Sequence, residues 1–163
     1  MLKIDLEEFV ASGCFGCLGR APSRELVIET LGRPDSDRYP AHDQYGNVSF
    51  EFDTTLNCIC GVVIAFPHAL NYEQLKQNAW PDSRFQFKAG RFQPGLKFRQ
   101  VTGSLPGFEH ADTVGANPNC ICVYTNRKNN IDLCFAPETT LGEHTLCFIV
   151  SHPEIQNSRV AGA

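Results

Sequence analysis

The chain has 163 residues, of which 42% are hydrophobic and 20% charged, with 8 Cys and a formal net charge of −4. That length suits one domain with a core that needs no disulfide or metal to hold it. No apolar run approaches the roughly 18 residues of a membrane span, and 12 Phe in alternating patterns exclude a disordered chain.

The charge is unevenly spread. Residues 1–82 sum to −6, residues 83–108 carry five bases and no acid, and residues 109–163 sum to −3. A nucleic-acid module usually has a domain-wide basic excess, so no nucleic-acid partner is expected. The bases Arg84, Lys88, Arg91, Lys97 and Arg99 interleave with Phe85, Phe87, Phe92 and Phe98. This pattern reads as strands with Phe inward and Arg/Lys outward.

In chain order, Asp5 with Glu8 has capping-box spacing for a helix over 5–12, with Leu6, Phe9 and Val10 as its apolar stripe. Three glycines between 12 and 19 then break it. A second helix starts at the N-cap Ser23, turns Leu26, Val27, Thr30 and Leu31 to one side, and ends at Gly32 before Pro34. An edge strand is expected around Arg38–Gln44, then a strand over Val48–Asp53 and a central strand from Leu56 to Phe66. Asn71 and Gln74 mark a helix running to about Ala79. Two short strands are read between Phe85 and Thr102, and 103–118 reads as a loop. Strands over 120–125, 131–136 and 145–151 complete a meander, with a frayed tail at 154–163.

The fold expected is α+β: an antiparallel meander sheet with short helices on one face. Asn47–Leu56 aligns with Asn130–Leu141, each followed by an apolar strand. The single domain 1–163 therefore divides into possible helix-plus-meander halves, 1–68 and 69–153.

The cysteines supply the main chemical alternatives. Cys14-Phe-Gly-Cys17 has C-x-x-C spacing but lacks the strand-to-helix context of redox motifs. It leaves open a Cys-dependent hydrolase or thiol-redox enzyme using Cys14 or Cys17, for instance with His42 brought close in space. Cys58-Ile-Cys60 and Cys120-Ile-Cys122 are matched C-x-C pairs. On neighbouring strands their four thiolates could meet a zinc ion; packing as small buried hydrophobes is the favoured reading. Cys134 and Cys147 are also placed in or beside the sheet. The histidines form no ligand pair, and no phosphate-loop or dinucleotide fingerprint is present, so no cofactor, metal or catalytic residue is expected. The start lacks the basic and apolar regions of an export signal, which implies a cytoplasmic protein. Asp35, Asp37, Asp43, Glu51 and Asp53 cluster in loops and on the polar side of a strand, where they would attract a basic partner.

The stretch Ser23–Asp35, followed by Tyr45-Gly-Asn-Val-Ser-Phe-Glu-Phe52, resembles small soluble bacterial proteins in which a helix ends in Leu-Gly-x-Pro before a Tyr-Gly hairpin. It is similar to the modules of β-lactamase-inhibitor protein and of small outer-membrane assembly lipoproteins, over roughly residues 20–66. The resemblance implies a protein-binding module of the kind found in immunity proteins, with a cognate toxin as partner and no catalytic residue carried over. Its interface would be the exposed sheet face with loops 35–47 and 103–118.

Overall fold

Asp5 opens the first helix as the spacing predicts. Its carboxylate accepts from the backbone of Glu7 at 3.0 Å and of Glu8 at 3.3 Å. In the computed structural model, which describes residues 1–39, 41–66, 82–92, 96–97, 100, 105–114, 121–137 and 144–153, α1 covers Leu6–Ser12. Gly13, at φ +74, stops it by donating its backbone N–H to Phe9 O at 2.7 Å. Residues 2–5 form strand β1, an element missing from the sequence reading. β1 pairs in parallel with β6 (Phe85–Lys88), Leu2 lying opposite Phe85.

A 3₁₀ turn, Gly16–Leu18, leads to α2 (Arg24–Leu31). Ser23 caps α2 through Oγ, which accepts from Leu26 N at 3.3 Å. Val27 and Leu31 are buried, whereas Leu26 is 41% exposed, so the stripe on this helix is narrower than the four-residue one expected.

The remaining strands form one antiparallel sheet. They are β2 (Ser36–Tyr39), β3 (His42–Tyr45), β4 (Val48–Asp53), β5 (Cys58–Ala65), β7 (Glu109–Val114), β8 (Ile121–Asn126), β9 (Ile131–Pro137) and β10 (His144–Ser151). Their order is β2-β3-β4-β5-β10-β9-β8-β7. Two four-stranded meanders thus join through β5 and β10, where Ile149 lies opposite Ile64. Of the similar segments, 47–56 and the described part of 130–141, residues 130–137, fall at corresponding places on either side of this junction. The architecture is α+β with an antiparallel meander, plus the small parallel β1–β6 pair.

Three element assignments are corrected. Of the two strands expected between Phe85 and Thr102, the described residues hold one, β6, and Gln100 is helical. The edge segment around 38–44 is a hairpin, β2 and β3, because the chain reverses between Tyr39 and His42. The expected loop 103–118 contains β7, whose sequence Glu-His-Ala-Asp-Thr-Val has no apolar alternation because it lies at the sheet edge. The expected helix over 71–79 and the tail after 153 lie outside the described residues.

Pairing register assigns each side chain to a face. Tyr45, Val48, Phe50, Ile59, Val62, Ile64, Leu133, Phe135 and Ile149 point to one face and are fully buried or nearly so. The helices cover this face. Phe15, in the turn between α1 and α2, lies edge-on to Phe9 and to Phe50, each at 5.4 Å between ring centroids. Tyr45 Oη donates to Gly32 O, the residue that ends α2, at 3.1 Å. Gly16 makes this packing possible: its φ is +56, and a Cβ there would lie 2.5 Å from Lys3 O.

Candidate functional site: the open face of the sheet

On the face away from α1 and α2, one row runs Glu109, Thr125, Asp132, Val150, Val63, Ser49, Gln44 and Ser36 across all eight strands. The next runs Asp112, Val123, Cys134, Phe148 and Ala65. Val63, Val123, Phe148 and Val150 are half-buried and form an apolar centre. Carboxylates flank it: Glu51 and Asp53 on β4, Asp132 on β9, and Glu109 and Asp112 on β7. Among the described side chains of these strands, no Lys or Arg stands on this face. The turn beyond β8 brings Arg127 to Glu109 at 2.5 Å, and His152 Nε2 lies 3.2 Å from Asp132 Oδ2.

The five acids expected to meet a partner separate in the structure. Glu51 is exposed and bends over Gly61, where a Cβ would lie 2.8 Å from its Oε2. Asp53 accepts from Thr55 N and Leu56 N, each at 2.8 Å, so it also holds the β4–β5 turn. Asp37 lies in β2. Asp35 accepts from Gly46 N at 2.6 Å and from Arg84 Nη2 at 2.5 Å, which makes it a brace between the β2 entry and the β3–β4 turn. Asp43 requires correction. It is fully buried on the helix-bearing face and grips Arg24, with Nε–Oδ2 at 2.9 Å, so it reaches no partner. The signal was its spacing: residues 43 and 45 share a face, and Tyr45 is in the core.

The basic stretch is largely answered from within the chain. Arg84 binds Asp82 at 2.8 Å as well as Asp35, and sits 5.0 Å over the Tyr45 ring. These bonds to Arg84 hold the Asp35 and Asp82 carboxyls below their ordinary range and raise Arg84. Burial pushes the Tyr45 hydroxyl up to about 12. Lys88 pairs with Asp5 at 2.6 Å, and Arg91 N bonds Glu7 Oε1 at 3.0 Å. Phe85 and Phe92 are buried, as the inward reading expects, and so offer no stacking surface.

The zinc alternative is overturned by topology. β10 and β9 lie between β5 and β8, a separation of roughly 14 Å at the usual strand spacing. Zinc–sulfur bonds are only about 2.3 Å long. Cys122 also points to the helix-bearing face, opposite Phe135, whereas Cys58 lies opposite Asp53 on the other. A bulge at Ile59–Gly61 breaks the shared face expected for Cys58 and Cys60. Cys120 lies outside the described residues. Cys147 is fully buried, with Sγ 2.9 Å from Cys134 O, and burial pushes the two thiols up to about 12 and about 11.

A Cys14–His42 pair is also excluded geometrically. The turn bearing Cys14 and Cys17 packs by Phe15 onto Phe50, while His42, opposite Glu51, is on the other side of the sheet. The C-x-x-C spacing serves to insert Phe15 between two chain reversals, and Phe15 N bonds Gly19 O at 2.8 Å. No helix among the described residues is long and apolar enough to cross a membrane. Compared with protein-family models, curated proteins and solved structures, the chain gives no significant match.

Proposed function

We propose that this chain is an immunity-type protein, a non-catalytic binder that neutralises a cognate bacterial toxin in the cytoplasm by covering it with the open face of the sheet. The observation that carries this reading is the pattern on that face: a half-buried apolar centre flanked by Glu51, Asp53, Glu109, Asp112 and Asp132. An apolar centre within a charged rim is the usual anatomy of a protein interface. The net negative charge around it, with Glu109 already paired to Arg127, speeds capture of a partner of opposite charge and disfavours other partners. The resemblance of residues 20–66 to inhibitor-type modules supports the same reading.

A toxin effector domain with a basic surface fits this face by charge. Co-expression with the product of the neighbouring gene and recovery of a stable complex tests the proposal. Absence of a complex, together with absence of protection from that product, contradicts it.

A further inference from the structure

On the helix-bearing side, a cleft of about 690 Å³ opens between α1, the Arg91–Phe92 turn, the segment 105–109 and the β8–β9 turn. This is the size of a small-molecule site. Val10, Phe92, Leu105 and Phe108 give it apolar walls. The two carboxylates at its rim are engaged internally, Glu7 by Arg91 and Glu109 by Arg127.

Asn126 is the unusual member of the lining. It is only 8% exposed, and its Oδ1 accepts from Lys128 N at 3.1 Å and Asn129 N at 3.3 Å. Its Nδ2 donates no hydrogen bond among the described residues. That nitrogen lies against Gly107, also in the cleft wall, where a Cβ would approach it to 3.4 Å. The nitrogen is not sealed from solvent but opens to the cleft, so a ligand oxygen there would replace water as its acceptor. Lys128 is exposed at the mouth and adds a positive charge beside that donor.

We infer that the cleft binds a small amphipathic carboxylate, its apolar body against Phe92 and Phe108 and one carboxylate oxygen accepting from Asn126 Nδ2. This inference stands apart from the partner-binding reading, because Asn126 and α1 are on the face opposite the acidic one and only Glu109, held by Arg127, borders both.

Titration of the full chain with 4-phenylbutyrate and with 4-phenylbutylamine, followed by amide NMR, tests it. The expected result is saturable shifts of the Gly107 backbone and Asn126 side-chain amides with the carboxylate, and at least tenfold weaker binding of the amine. Asn126→Asp keeps the oxygen that holds the β8–β9 turn but replaces the donor with a second, anionic oxygen, so carboxylate affinity falls at least tenfold while affinity for the amine does not fall. Ala11→Trp, at an exposed position on the cleft wall, abolishes binding of both probes. No saturable shift, equal binding of the amine, or an undiminished carboxylate affinity in Asn126→Asp overturns the inference.

Discussion

Arg24 reaches from the first turn of α2 to Asp43 on β3 and binds both of its carboxylate oxygens, while Asp43 itself is fully buried. The guanidinium also lies 5.4 Å from the centre of the Phe52 ring. One ion pair therefore fixes the helix against the sheet. Removing Arg24 alone strands a buried carboxylate, so Arg24→Met destabilises by about 3–5 kcal/mol. Replacing both partners, Arg24→Met with Asp43→Leu, recovers most of that loss. Urea denaturation of the three chains measures the difference.

Arg84 makes stability sensitive to acid. It holds Asp35 and Asp82 ionised below the unfolded carboxyl value of about 3.9. For groups with a depressed folded pKa, the contribution is fully present above the unfolded value. It disappears as pH falls through the folded one. Arg84→Met costs about 2 kcal/mol at pH 7 and loses less stability than the parent between pH 5 and 2. Denaturation midpoints of both chains across that range test the sign.

Gly16 and Gly19 separate backbone strain from close packing. Both have positive φ, +56 and +77, but only Gly16 faces a neighbour, Lys3 O. Gly19→Ala costs about 1–3 kcal/mol, because positive φ with an extended ψ is a conformation that only glycine adopts readily. Gly16→Ala costs more than about 3 kcal/mol, because β1 has to move. Thermal melts of the two variants rank them.

The thiols divide by exposure. Cys17 is exposed, whereas Cys147 is fully buried with its thiol pushed up to about 12. Iodoacetamide at pH 7.5, read by peptide mass spectrometry, labels Cys17 first and Cys147 only after unfolding. Added zinc leaves the melting temperature unchanged.

Local signals carried much of this fold. The Asp5 and Ser23 caps, Gly32, and the alternation of β4, β9 and β10 all lie within a few residues of what they specify. β1 is different: its partner β6 is some eighty residues away, and a four-residue parallel pair has no turn to announce it. β7 is an edge strand whose exposed residues carry no period. The fate of Asp43 depended on a register shared with Tyr45 and on an Arg nineteen residues earlier. Glu51 and Asp53 were legible as candidate surface acids, but their companions Glu109, Asp112 and Asp132 were not. They join the same face only through the β5–β10 junction.

The most direct measurement is protection of cells expressing the product of the neighbouring gene by the parent chain and by Glu51→Lys with Asp112→Lys, two exposed sites flanking the apolar centre. The proposed function predicts that this product is toxic and that the parent chain captures it and restores growth. The doubly reversed chain, folded to the same melting temperature, loses at least tenfold in affinity and fails to protect. Full protection by the reversed chain, or no capture by the parent, contradicts the assignment of partner binding to the open face.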